Sequence, residues 1–345
     1  MTTSHNTGTR QALKSVLHTV SLKIEALWDA VRPSEATGEP FIDAYIGYAT
    51  PDGTVVHGRI LSQHRYSTQL TERSRWNAVR NMVRNFWTKE LADVRVRVGE
   101  VETVSDGEGY FHLLVPAMQP GEHQIVIDLP DYDVQTSAYI IVPTQQASLG
   151  IISDIDDTVM RTGAHNLALN LWTTATTFLS DREVFRDTAQ LLKQLHDVTN
   201  PVFYVSSSPW NLHAYLTSVF TTHNVPRGPL FLRDMGLSPT KFVTDSHGSH
   251  KGQAIDTILA ANPTLNFVLI GDSGQHDALV YREAIERHPG RIQQIILRTA
   301  GQIDDADRQA AEAIRASKVD LYTGADLSAL LQPDNSDPQP SVITD

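Results

Sequence analysis

Two carboxylates stand two residues apart in the run Asp154-Ile155-Asp156-Asp157-Thr158, directly after an apolar stretch. Held close together, two carboxylates repel, which favours either a bound cation or one carboxyl that keeps its proton. Both outcomes suit hydrolysis of a phosphate ester. A cation would offset the phosphate charge and keep Asp154 ionised as a nucleophile. Asp156 would protonate the leaving oxygen and then activate water. Thr158 would steady the loop through its hydroxyl. On its own, the pair reads equally well as an acidic strand end followed by a helix cap.

Further residues of the right type occur at element ends. Ser206 comes after the apolar run Val202-Phe203-Tyr204-Val205, where a hydroxyl and neighbouring N–H groups can hold a phosphoryl oxygen; Ser207 and Ser208 compete for that role. Lys251 opens the helical segment KGQAIDTILA and offers a cation to phosphoryl oxygens and to a nucleophilic carboxylate, with Lys241 as the rival in an earlier loop. Asp272 ends the strand candidate NFVLIGD, and Asp277 comes near the start of a helix. Magnesium takes hard oxygen ligands in octahedral geometry. Asp154, the backbone carbonyl of Asp156 and Asp272 would supply three of them, with Asp277 orienting a coordinated water. Nothing among His165, His247, His250 and His276 has zinc-ligand spacing, so none of these is assigned a role.

Each member has an ordinary explanation when taken alone. In order, an acidic pair, a serine, a lysine and a second acidic pair are far more specific. At this point the chain resembles the haloacid dehalogenase superfamily of phosphatases, whose ordered signature is DxDxT, Ser/Thr, Lys and GDxxxxD. The resemblance implies Asp154 as nucleophile, Asp156 as acid/base, Ser206 and Lys251 at the phosphate, Asp272 and Asp277 as metal-site acids, and Mg2+ as cofactor. More narrowly, SDIDDTV, VSSSPWNL, HKGQAI and LIGDSGQHDALVY with the downstream HPGRI resemble the catalytic domain of actin-patch-protein-type phosphatidate phosphatases, from roughly Leu149 to Arg298. That likeness implies magnesium-dependent conversion of phosphatidate to diacylglycerol.

These residues need a scaffold that brings strand ends together. SLGIISDI, PVFYVSS, PLFLRD, NFVLIGD and QQIILR are near-continuous apolar strands separated by helical segments. That rhythm predicts a doubly wound parallel α/β sheet over 146–330, the haloacid dehalogenase-like Rossmannoid of the resemblance, with ligands at the carboxyl ends of the strands. No room is left for a large cap between Asp156 and Ser206 or between Ser206 and Lys251. An open site of this kind suits a bulky or membrane-held substrate.

Residues 37–145 predict an antiparallel β-rich domain, sandwich- or barrel-like, because short strands succeed one another without crossover helices. Turns are expected at Pro51-Asp52-Gly53 and Asp106-Gly107, and one helix at about 73–91. Residues 1–36 predict an amphipathic helix from Leu13, Val16, Leu17, Val20, Ile24, Leu27, Trp28 and Val31, stopped by Pro33. Its stripe would pack on the protein or lie on a membrane surface. The polar, proline-rich residues 331–345 are expected to be disordered. Leu167, Leu169, Leu171, Trp172 and Phe178 are core residues or acyl-chain contacts, and Trp210 lines the leaving-group side or packs.

Bulk properties narrow the classes further. A chain of 345 residues exceeds what one core usually serves, so two domains are expected. Cysteine is absent, which excludes disulfides, thiolate zinc sites and cysteine nucleophiles. A net charge of −12 without a basic stripe argues against nucleic acid. No bilayer-length apolar run or secretory layout is present, so a cytoplasmic location, with peripheral membrane contact, is expected. The expected function is a magnesium-dependent phosphomonoesterase working through an aspartyl-phosphate, with phosphatidate as substrate. The alternatives are a phosphatase of small soluble phosphomonoesters, or an interaction protein whose β-rich domain binds a partner of unknown identity.

Overall fold

In the alternating geometry of a strand, neighbouring residues face opposite sides, so a run apolar at every position must be covered on both. The computed structural model describes residues 39–62, 90–162, 184–233, 247–299 and 304–331, with the side chains of 247–249 outside that set. The expected first helix, most of the helix at 73–91, the 331–345 tail beyond Leu331, Lys241 and the Leu167–Phe178 group lie outside the described residues. So do stretches of both segments in which the cap question is decided.

The parallel sheet forms as the pattern dictates. Its strands are β9 (Gly150–Asp154), β10 (Val202–Pro209), β11 (Leu230–Arg233), β12 (Phe267–Asp272), β13 (Ile292–Arg298) and β14 (Asp320–Gly324). They lie side by side in the order β11-β10-β9-β12-β13-β14, every pair parallel. Ile151, Tyr204, Val268 and Ile270 enter one core with helices α1 (Arg186–His196) and α2 (His213–Thr222). Ile152, Phe203, Val205 and Leu269 enter another with α3 (His247–Ala261), α4 (Asp277–Arg287) and α5 (Asp305–Ala316). The sheet is therefore doubly wound. Its order reverses between β9 and β12, and the crevice at such a reversal, beyond the strands' carboxyl ends, is where ligands bind.

The β-rich part is a single eight-stranded sheet, ordered β1-β3-β2-β8-β7-β4-β5 with β6 on β3, which is the barrel-like of the two expected forms and not two packed sheets. Strands from both ends, including β1 (Phe41–Ala44), β3 (Gly53–Leu61) and β4 (Arg95–Val98), share one core with β6 (Tyr110–Val115), β7 (Gly121–Leu129) and β8 (Val134–Val142), so the sheet curls as a half-barrel. Against expectation, the sheet is not wholly antiparallel. β2 (Gly47–Thr50) runs parallel to β8, pairing Gly47 with Ile140.

Within this sheet, Pro51-Asp52 make the expected turn, closing Thr50 onto Gly53. The single strand expected before that turn is split. Phe41–Ala44 and Tyr48–Thr50 pair with β3 in registers one residue apart, which is a β-bulge around Tyr45. The second hairpin turns at Gly99-Glu100, where Gly99 takes φ 58°, and joins β4 to β5 (Val101–Val104). Asp106 instead closes a local turn by accepting the N–H groups of Glu108 and Tyr110. At the predicted end of the 73–91 helix, Glu90 bridges to Leu61 as extended chain.

Both sheets belong to one compact unit that starts at Glu39. Tyr48 and Val55 pack into the α/β core, and Tyr45 stacks on Trp210 with ring centres 4.1 Å apart. Trp210 thus packs between the two sheets. Arg59, buried, donates to Asn211 Oδ1 at 2.9 Å and to Glu90 Oε1 at 2.9 Å, and lies over the Tyr110 ring.

Candidate active site

Five strand or helix ends converge at the crevice. β9 delivers Asp154 at its last residue, and the chain then turns sharply. Asp157 adopts left-handed backbone (φ 57°), and its N–H donates to Met160 O at 2.7 Å. The Asp157 carboxylate accepts from Thr162 N–H at 2.7 Å, so it holds the loop rather than facing the site. This turn lets Asp154 and Asp156 share one side with Ile155 buried between them.

β10 supplies the serines. Ser206 and Ser208 share a face by strand alternation, and both hydroxyls donate to Asp156 Oδ2, at 2.6 and 2.9 Å. Ser208 N–H in turn donates to Ser206 Oγ at 2.9 Å. The structure therefore brings Ser206 and Ser208, not Ser207, to the acids. α3 places Lys251, whose Nζ donates to Asp154 Oδ1 at 2.7 Å and to Asp277 Oδ1 at 2.5 Å. β12 ends at Asp272, and the first residue of α4, Asp277, accepts the Asp272 N–H on Oδ2 at 3.0 Å. Gly271 is required there. A Cβ at that position would lie 2.5 Å from Asp277 Oδ2 and 2.7 Å from Tyr281 Oη, well inside contact distance.

All six expected site residues, Asp154, Asp156, Ser206, Lys251, Asp272 and Asp277, are thus buried in one cluster. The electrostatics are those of crowded acids away from water. Burial, reinforced by the charges of Asp277, Asp156 and Asp272, holds the Asp154 carboxyl well above the usual range even against the opposing Lys251. Burial and the Asp277 charge push Asp272 up to about 8. Burial alone would pull Lys251 down, but its attractions and hydrogen bonds to Asp154 and Asp277 leave it raised and charged.

Two carboxylate oxygens, Asp154 Oδ2 and Asp156 Oδ1, are buried with no hydrogen-bond partner, as are Thr158 Oγ1 and Ser273 Oγ. Buried polar atoms are normally satisfied, so bare carboxylate oxygens beside the Lys251 ammonium fit a hard divalent cation and a phosphate. Asp154, Asp272 and the Asp156 carbonyl are the oxygens that would hold such a cation. Asp277 has both oxygens engaged within the protein, which suits it to orienting rather than to direct ligation.

Gln275 was not legible as a site residue. Its side chain donates to Asp156 O at 3.1 Å and to Asp157 Oδ2 at 3.2 Å, while its N–H donates to Asp272 Oδ1 at 3.1 Å, so it ties the two acidic loops together. Only its place inside GDSGQHD pointed toward the site. Ser208 was recoverable, since a residue two along a strand from Ser206 must face the same way.

Residues 149–299 match the family model described as "Phosphatidate phosphatase APP1, catalytic domain", a span that contains every residue of the cluster. The chain is 30% identical over 200 residues to Phosphatidate phosphatase APP1 of Saccharomyces cerevisiae, covering 55% of this chain and 34% of that protein. It is 25% identical over 211 residues to an uncharacterized protein of Schizosaccharomyces pombe, covering 58% and 35%. The likeness to an APP1-type phosphatidate phosphatase catalytic domain holds over that segment. The chain spans about a third of the length of these relatives. No helix among the described residues is long and apolar enough to cross a membrane.

Proposed function

We propose that this chain is a magnesium-dependent phosphomonoesterase with a haloacid dehalogenase-like catalytic sheet, acting on phosphatidate through an aspartyl-phosphate. The observation that carries the reading is the bare Asp154 Oδ2, held beside the Lys251 ammonium at the crevice where the sheet order reverses. The likeness of residues 149–299 to phosphatidate phosphatase catalytic domains supports the substrate class.

Magnesium, held by Asp154, Asp272 and the Asp156 carbonyl, would supply positive charge against the phosphate and keep Asp154 ionised. Asp154 Oδ2 attacks phosphorus, forming the carboxyl–phosphate bond as the ester oxygen leaves with its electron pair. Asp156 Oδ1, free of any partner, gives its proton to that oxygen. Ser206 and Ser208 fix the carboxyl plane through Oδ2 while this happens. A water then attacks phosphorus, Asp156 takes back a proton, and inorganic phosphate departs as Asp154 is regenerated. Lys251 orients Asp154 through Oδ1 and faces the phosphoryl oxygens. Asp277 holds Lys251 from behind.

The direct test is phosphate release from phosphatidate vesicles with Mg2+, compared with small soluble phosphomonoesters. Release from lipid that is lost with chelator and in Asp154→Asn supports the reading. Release from soluble esters alone would replace the lipid with a small substrate. Unchanged activity in Asp154→Asn would remove Asp154 as nucleophile, and no hydrolysis of any ester would favour an interaction protein. Peripheral attachment to a membrane surface belongs to the same reading, and co-sedimentation with phosphatidate vesicles checks it.

A further inference from the structure

Behind the acid cluster, a second group of ligand-type atoms comes together from residues with no mechanistic task. His276 precedes Asp277 in left-handed backbone (φ 65°). Its Nδ1 lies 3.4 Å from Asp307 Oδ2 and 3.5 Å from Asp304 Oδ2. Asp304 caps α5 by accepting the Asp307 N–H at 2.8 Å. The three residues each present one ligand atom within 4.8 Å of the other two.

An ion pair between a protonated imidazole and two carboxylates is the ordinary explanation, and two observations go against it. A charge-assisted hydrogen bond would close to about 2.7–2.9 Å, whereas both separations here are longer. They lie near the edge of a tetrahedron with ligands about 2.0–2.1 Å from its centre, which is roughly 3.3–3.4 Å. The second observation is independent. Asp307 is 1% exposed, and its Oδ1 is buried with no hydrogen-bond partner, while Oδ2 accepts only the His276 N–H at 3.3 Å among backbone donors. An ion pair through Oδ2 leaves Oδ1 bare, whereas an ion chelated by both oxygens of the Asp307 carboxylate would satisfy it.

We propose that His276, Asp304 and Asp307 form a site for a divalent transition ion of the zinc class, distinct from the all-oxygen magnesium set. One imidazole nitrogen with two carboxylate oxygens is a donor set that zinc takes readily, with water completing the shell, and that magnesium does not prefer. The ion would pin the segment carrying Gln275 and Asp277 to the start of α5. It acts as a brace for the acid cluster and takes no part in a bond-making step. Asp304 and Asp307 lie beyond the segment that matches the catalytic-domain family, so the site ties that segment to α5.

The test uses the untagged 345-residue chain stripped with chelator and held in excess Mg2+, so that the all-oxygen set is filled. Zn2+ is titrated by equilibrium dialysis with metal analysis, and Co2+ provides a visible-absorption signal for nitrogen–oxygen coordination. One equivalent of zinc is expected, with affinity reduced roughly tenfold or more in His276→Ala and in Asp304→Asn. Both side chains are half exposed, so these variants fold, and circular dichroism checks that they do. Wild-type protein that takes up no stoichiometric zinc would overturn the proposal, as would wild-type affinity in both variants. The readout is metal uptake, so its failure is separable from failure of the phosphatase reading.

Discussion

Ser206 and Ser208 both donate to one oxygen of Asp156, yet their removal should not cost the same. Ser208→Ala deletes one hydrogen bond to a buried carboxylate, worth about 1.5–3 kcal/mol. Ser206→Ala deletes the shorter of the two bonds and also strips the Ser208 N–H of its acceptor. A buried donor left unpaired costs about 1–3 kcal/mol more. Ser206→Ala should therefore destabilise by about 3–5 kcal/mol, and Ser208→Ala by at least about 1 kcal/mol less. Urea unfolding in chelator removes any contribution from bound ions, and unchanged slopes would certify that the denatured states are comparable. If Ser208→Ala cost as much as Ser206→Ala, the relay from Ser208 N–H through Ser206 Oγ to Asp156 would not exist, and the account of what orients Asp156 would fall with it.

Gly271→Ala forces a methyl against Asp277 Oδ2 and Tyr281 Oη and should cost about 1–3 kcal/mol, with phosphate release falling further than stability because Asp277 is displaced from Lys251; equal activity at matched folded fraction would contradict this. His57, packed among Tyr45, Tyr48 and Trp210, is pulled down to about 4 by burial, against the pull of its bond to Ile46 O. Its folded value lies below its unfolded one, so the neutral ring favours the fold: that stability is complete above about pH 6.5 and is lost as pH falls toward about 4, by up to about 3 kcal/mol. Urea midpoints across that window should slope in wild type and flatten in His57→Asn. Arg59→Ala should destabilise by about 3 kcal/mol, since it leaves Asn211, Glu90 and the Glu108 carbonyl without their shared donor; a loss under about 1 kcal/mol in thermal melts would show that the strut carries no weight.

The sequence made the parallel sheet legible because both its faces are covered. Ile151 and Ile152 point into different cores, so neither position tolerates a polar residue and the strand stands out. β14 escaped notice for the converse reason: DLYTG is a half-exposed edge strand, with only one neighbour to pack against. The split before Pro51 was hidden because its cause is remote. Tyr45 keeps its N–H on His57 O while its ring stacks on Trp210, a contact no local pattern encodes. The site residues were readable from their order at strand ends, whereas Gln275 and the partners of His276 act through loops and a helix that only the fold brings near.

The segment that resembles known catalytic domains is smaller than the piece of chain that folds with it. Residues beyond 299 add β14 to the edge of β13 and bring Ile314 and Leu327, both fully buried, into the two cores, while Leu327 N–H donates to Asp187 at 2.7 Å. Excising 149–299 would bare the ladder groups of β13 and open both interiors at once, an invitation to strand-to-strand association between molecules. The resemblance runs over one length of chain, but a closed pair of cores needs a longer one.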